Sequence, residues 1–161
     1  MKLNNKNLII KKLAAISMVA SLAVPCCSPL NCSSVLARST TIFDACLQGD
    51  LRTVIALVDD DPSLVHNRNK DGRTALMVAS QNGHIAVVRE LLDRYAGVNA
   101  TDRFGFTALM WASGEGHIAV VRELLNRGAN IHATDRLGRT ALILAQSTNK
   151  ADIVDLLRAH H

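Results

Sequence analysis

Residues 74–94 read TALMVASQNGHIAVVRELLDR, two apolar stretches with a polar break between them. Thr74 is a good helix N-cap, and the apolar run behind it predicts a short helix from Ala75 to about Gln81, broken at Asn82-Gly83. A second helix follows from His84 to about Arg94, with Val87, Val88, Leu91 and Leu92 spaced to share one face. Val98-Asn99-Ala100-Thr101 reads as extended chain leading to a turn, where Gly105 can take a positive φ angle.

The same pattern returns every 33 residues. That shift superposes Gly72, Gly105 and Gly138, then Thr74, Thr107 and Thr140, then Leu76, Leu109 and Leu142. It also superposes Ala79, Ala112 and Ala145, and Val88, Val121 and Val154. A degenerate earlier copy, IFDACLQGDLRTVIALV at 42–58, aligns one residue out of period, with Gly49 on Gly83 and Val54 on Val88. About four units result, at approximately 39–69, 70–102, 103–135 and 136–161. A pair of helices this short cannot bury its apolar face alone, whereas several stacked pairs share a continuous core. The outer units end in polar groups suited to caps, Asp59-Asp60-Asp61-Pro62 in the first, and Asn149-Lys150 with Arg158-Ala159-His160-His161 in the last.

This period and spacing resemble the ankyrin repeat, whose signature includes T-P-L-H-x-A. The resemblance implies an all-α solenoid of helix-turn-helix units joined by β-hairpin-like loops. The chain departs from the signature in two places. Ala75, Ala108 and Ala141 stand where the family has proline, and Met77, Met110 and Ile143 where it has histidine, which predicts a less rigid array. Gly128 suits a left-handed helix end, but its counterpart one unit earlier is Tyr95. A left-handed Tyr95 is strained by about 1–2 kcal/mol unless Gly97 relocates the turn.

Composition fits one folded domain, with 161 residues, 48% of them hydrophobic and 20% charged. The net charge of +4 invites a nucleic-acid reading until its distribution is considered. Lys2, Lys6, Lys11 and Lys12 lie before Ala37 with no acid, and the remainder balances 14 basic against 14 acidic residues. The basicity therefore gives no reason to expect nucleic acid. Residues 1–37 read as a secretory signal, with a lysine-bearing start, an uncharged run from Leu13 to Val24 and Val35-Leu36-Ala37 before the cut, leaving a repeat domain at 38–161. The apolar run is shorter than the roughly 20 residues that span a bilayer, so a periplasmic or secreted protein with no membrane contact after cleavage is expected. A tethered scaffold held by an uncleaved leader is the alternative. Cys26, Cys27 and Cys32 leave with the signal, and Pro25 before Cys26 argues against lipidation. Only Cys46 remains, so no internal disulfide forms.

Glu115-Gly116-His117 looks at first like part of an active site, but its recurrence marks it as a helix-helix turn. His84 and His117 sit on helices about 8–10 Å apart, too far to share a zinc ion, and are expected to bond locally. Cys46 aligns with Ser80 and Ser113 and reads as a small packing residue. Neither metal nor cofactor is expected. Catalysis through Cys46 or the histidines is the weaker alternative to a non-catalytic binding module.

The resemblance implies that partners bind on the loop tips and first helices. The matching tip positions are Lys70, Asp71 and Arg73, then Arg103, Phe104 and Phe106, then Arg136, Leu137 and Arg139. The helices add Gln81, Trp111, Glu115 and Ser147. Phe104, Phe106 and Trp111 are expected to form an apolar centre flanked by Arg73, Arg103, Arg136 and Arg139. Such a surface suits a protein partner with an acidic rim, bound by a monomer.

Overall fold

The computed structural model describes residues 41–160. The signal-sequence reading of residues 1–37 lies outside them. Among the described residues eight α-helices lie in four pairs. They are α1 (Ile42–Gln48) with α2 (Leu51–Asp60), α3 (Ala75–Gln81) with α4 (Ile85–Asp93), α5 (Ala108–Glu115) with α6 (Ile118–Asn126), and α7 (Ala141–Ser147) with α8 (Ala151–Ala159). A 3-10 turn at Pro62–His66 closes the first unit, capped by Asp61.

Each first helix starts where a threonine turns its hydroxyl back on the chain. The Thr74, Thr107 and Thr140 side chains accept from the amides of Met77, Met110 and Ile143, at 3.4, 3.3 and 3.4 Å. Thr41 adds the reciprocal bond from its own amide to Asp44, completing a capping box. The stack has two layers. The first helices α1, α3, α5 and α7 pack in series, the second helices do likewise, and each pair packs against its own partner.

Burial follows from position in this sandwich. α3 lies between α1 and α5 and against α4, and every residue from Ala75 to Ser80 is buried, as expected for a helix apolar all round. Met77 is among them and Met110 is likewise buried in α5, so thioethers fill space where the resemblance places histidines. The second helices are amphipathic, and α4 buries the Val87, Val88, Leu91 and Leu92 face anticipated from sequence. On the outer layer Arg94 pairs with Glu90 and with Asp59 of the preceding unit, and Arg127 repeats this with Glu123 and Asp93.

One detail differs from the sequence reading. Val98 and Asn99 form a turn rather than extended chain, with the Ala100 amide bonded to Gly97. The loops contain no strand among the described residues, only an isolated antiparallel bridge between Arg68 and Thr74. Tyr95 adopts the left-handed conformation, φ 62°, and Gly97 does not relieve it.

Candidate partner-binding surface

The loop tips are built around one side chain per unit. Asp102 Oδ1 accepts the amides of Phe104 and Phe106 at 2.8 and 2.9 Å, and Asp135 Oδ1 accepts those of Leu137 and Arg139 at 2.8 Å each. Asn69 plays the same part in the first tip, toward Asp71 and Arg73. These residues were not singled out from sequence, although their spacing of 33 was visible. Burial pushes the Asp135 carboxyl pKa up, but its bonds from the Arg139 amide and guanidinium and from the Leu137 amide outweigh that and leave it lowered. Neighbouring tips are joined by Arg103 N–H to Asp71 O at 3.2 Å and Arg136 N–H to Phe104 O at 3.1 Å.

Four of the predicted site residues form one continuous stack. The Arg73 guanidinium lies 4.1 Å from the Trp111 ring centre, Trp111 and Phe106 are 4.9 Å apart, and Arg139 covers Phe106 at 5.5 Å. Such contacts contribute about 0.5–2 kcal/mol each. Both arginines are further engaged. Arg73 donates to Gln81 Oε1 at 3.0 Å, and Arg139 Nε to Asp135 Oδ2 at 2.7 Å.

Phe104 lies outside the stack and is 55% exposed, and Leu137, its counterpart in the next tip, is 76% exposed. Lys70, Arg103 and Arg136 are exposed and carry no ion pair among the described residues. Glu115 is exposed at the end of α5, and Ser147 is turned back onto Leu144 O. The anticipated cluster is thus divided. Phe106, Trp111, Arg73 and Arg139 make a half-buried base, while Phe104, Leu137 and the three unpaired cations project at the tips.

The other chemical candidates are occupied. His84 Nε2 lies 3.0 Å from Leu47 O and His117 Nε2 2.9 Å from Gln81 O. Both reach into the preceding unit, where the sequence reading had them bonding locally. Cys46 is fully buried, and the loss of water pushes its thiol pKa up to about 12, so the thiolate is scarce at neutral pH.

With four stacked helix pairs and their tip loops in place, the comparison with known families is decisive. The profile described as ankyrin repeats, three copies, matches residues 8–102, 42–135 and 96–161. The chain belongs to the ankyrin-repeat family. Its similarity to individual ankyrin-repeat and other proteins is local. It is 45% identical over 69 residues to the serine/threonine-protein kinase VIK of Arabidopsis thaliana, covering 43% of this chain and 16% of that protein. It is 36% identical over 65 residues to the ankyrin repeat and SAM domain-containing protein 6 of Mus musculus, covering 40% and 7%. It is 41% identical over 61 residues to the photoreceptor ankyrin repeat protein of Homo sapiens, covering 37% and 13%. The chain therefore spans less than a fifth of each. Ankyrin repeats generally mediate protein–protein interaction and are typically non-catalytic.

Proposed function

We propose that this protein is a non-catalytic binding module. It holds a protein partner with an acidic rim on the face made by its loop tips and first helices, and it acts as a monomer. One observation carries the reading: Phe104 and Leu137 project at the tips beside Arg103 and Arg136, which carry no ion pair among the described residues. Exposed aromatic and arginine side chains over a packed base are the usual makings of a binding hot spot. The stack from Arg73 to Arg139 supplies that base. We further propose export through the leader at residues 1–37, with the released chain starting at Arg38.

Affinity capture with the protein as isolated, compared with its Phe104→Ala/Leu137→Ala variant, tests the binding face. A partner held by the wild type and lost by an equally stable variant supports the reading. Equal retention by both refutes it. Mass spectrometry of the native N-terminus tests export, since an intact Met1 would mean a retained leader.

A further inference from the structure

The bonding of the tips narrows the chemistry of the ligand, a step that rests on the binding face proposed above. In the second tip every amide from Arg103 to Phe106 already donates, to Asp71 O, Asp102 Oδ1, Asp102 O and Asp102 Oδ1 in turn. In the third, Arg136 to Gly138 and Arg139 donate to Phe104 O, Asp135 Oδ1, Asp135 O and Asp135 Oδ1. An incoming β-strand, which binds by main-chain pairing, finds no free N–H on these two tips. Recognition there falls to side chains.

Those side chains form two parallel rows. Lys70, Arg103 and Arg136, one per tip, are exposed and without an ion pair among the described residues, and Asp71, Phe104 and Leu137 are the residues that follow them. The cations at Arg73 and Arg139 belong to the stack and are not part of the outer row. Each tip is an outward and a returning pass of chain, tied by Asp102 N–H to Phe106 O at 3.0 Å and to the next tip through Phe104 O. Neighbouring tips thus pack directly on one another, and equivalent positions repeat at the interval of the stacked helices beneath them, about 8–10 Å.

A ligand must repeat at that interval. A polyproline II segment advances about 3.1 Å per residue with three residues per turn, so every third side chain returns to the same face after roughly 9.3 Å. It also needs no main-chain partner. A β-strand returns after about 6.7 Å, out of step with the tips. An α-helix matches only at every seventh residue and sets intervening side chains over the seams between tips.

We propose that the ligand segment is a proline-rich, acidic stretch in the polyproline II conformation, with Asp or Glu at every third residue to meet Lys70, Arg103 and Arg136 in turn. Apolar side chains between the acids contact Phe104 and Leu137. Asp71 ends the apolar row in the first tip, so the apolar contacts fall on the second and third.

Calorimetric titration at low salt with synthetic peptides provides the test. The probes are a proline-rich peptide with Glu at every third position, a peptide of the same length and composition whose Glu residues are gathered at alternate positions of one stretch, and an alanine-based helical peptide with Glu at every seventh. The first should bind at least about tenfold more tightly than the others, and Arg103→Glu/Arg136→Glu should abolish that advantage at unchanged thermal stability. Equal affinities, tighter binding of the helical peptide, no binding of any peptide, or indifference to charge reversal each overturns the inference. If the peptides fail while Phe104→Ala/Leu137→Ala still loses a captured protein, the ligand chemistry proposed here is wrong and the binding face stands.

Discussion

His117 lays its imidazole across Gly83 of the preceding unit, so close that a methyl group on Gly83 would sit 2.5 Å from Nδ1. The same ring reaches past that glycine to Gln81 O. Gly83 is thus required twice, for its φ of 75° and for its missing side chain. Gly49 stands in the same relation to His84, and Gly116 to the Lys150 chain. In the last unit Asn149 holds a similar geometry, φ 57°, and is exposed. Gly128, by contrast, has positive φ with open space around it. Gly83→Ala should therefore cost more stability than Gly128→Ala, for which the left-handed penalty of about 1–2 kcal/mol stands alone. Thermal unfolding of the two variants checks this, and equal losses would mean that the ring contact carries no weight.

Tyr95 offers the opposite test. It is left-handed and 88% exposed, so it bears strain without compensating burial. Tyr95→Gly should raise the melting temperature by about 4 °C, allowing for the greater freedom that glycine gives the unfolded chain. A fall on calorimetry would show that the exposed ring contributes more than the strain costs.

Asp135 makes part of the stability depend on pH. Its folded pKa lies below the ordinary 3.8. Its contribution is therefore fully present above that value and is lost as pH falls through the folded pKa. Asp135→Asn keeps an oxygen for the two tip amides, as Asn69 does naturally, but loses the ionic partner of Arg139. The variant should be modestly less stable than wild type at neutral pH, with the gap closing in acid below about pH 3.8. Denaturant titrations across this range would show a constant gap if the charge were irrelevant.

Trp111 and Phe104 should separate stability from binding. Trp111 packs on Phe106 beneath Arg73, so Trp111→Ala should cost about 2–3 kcal/mol of stability. Phe104→Ala removes an exposed ring and should leave unfolding within about 0.5 kcal/mol of wild type. A large loss from Phe104→Ala on chemical denaturation would place that ring in the core instead.

Much of the fold was legible because it repeats. Thr74, Thr107 and Thr140 announced the first helices, and Val87, Val88, Leu91 and Leu92 the buried face of a second. The strain at Tyr95 could be read as a departure from the position that Gly128 fills one unit later. Contacts between units were harder to foresee. A histidine at the start of a helix reads as a local partner, and only the stacking distance reveals that His84 and His117 reach back to carbonyls of the preceding pair. The arginines were only partly legible. Arg73 and Arg139 fall in one register of the repeat and Arg103 and Arg136 in another, and Asp102, Asp135 and the aromatic rings draw in the first pair while the second carries no ion pair among the described residues. The register separates the two pairs, but which pair turns inward depends on side-chain direction at a loop, which no periodicity of hydrophobic positions carries.

The central claim is that a protein partner sits on the tips and first helices rather than on the outer layer. Hydrogen–deuterium exchange of the protein with and without a captured partner tests it most directly. Slowed exchange at residues 70–73, 103–106 and 136–139, with α4 and α6 unchanged, is the predicted result. Slowing confined to α4 and α6, with the tips unaffected, would contradict it.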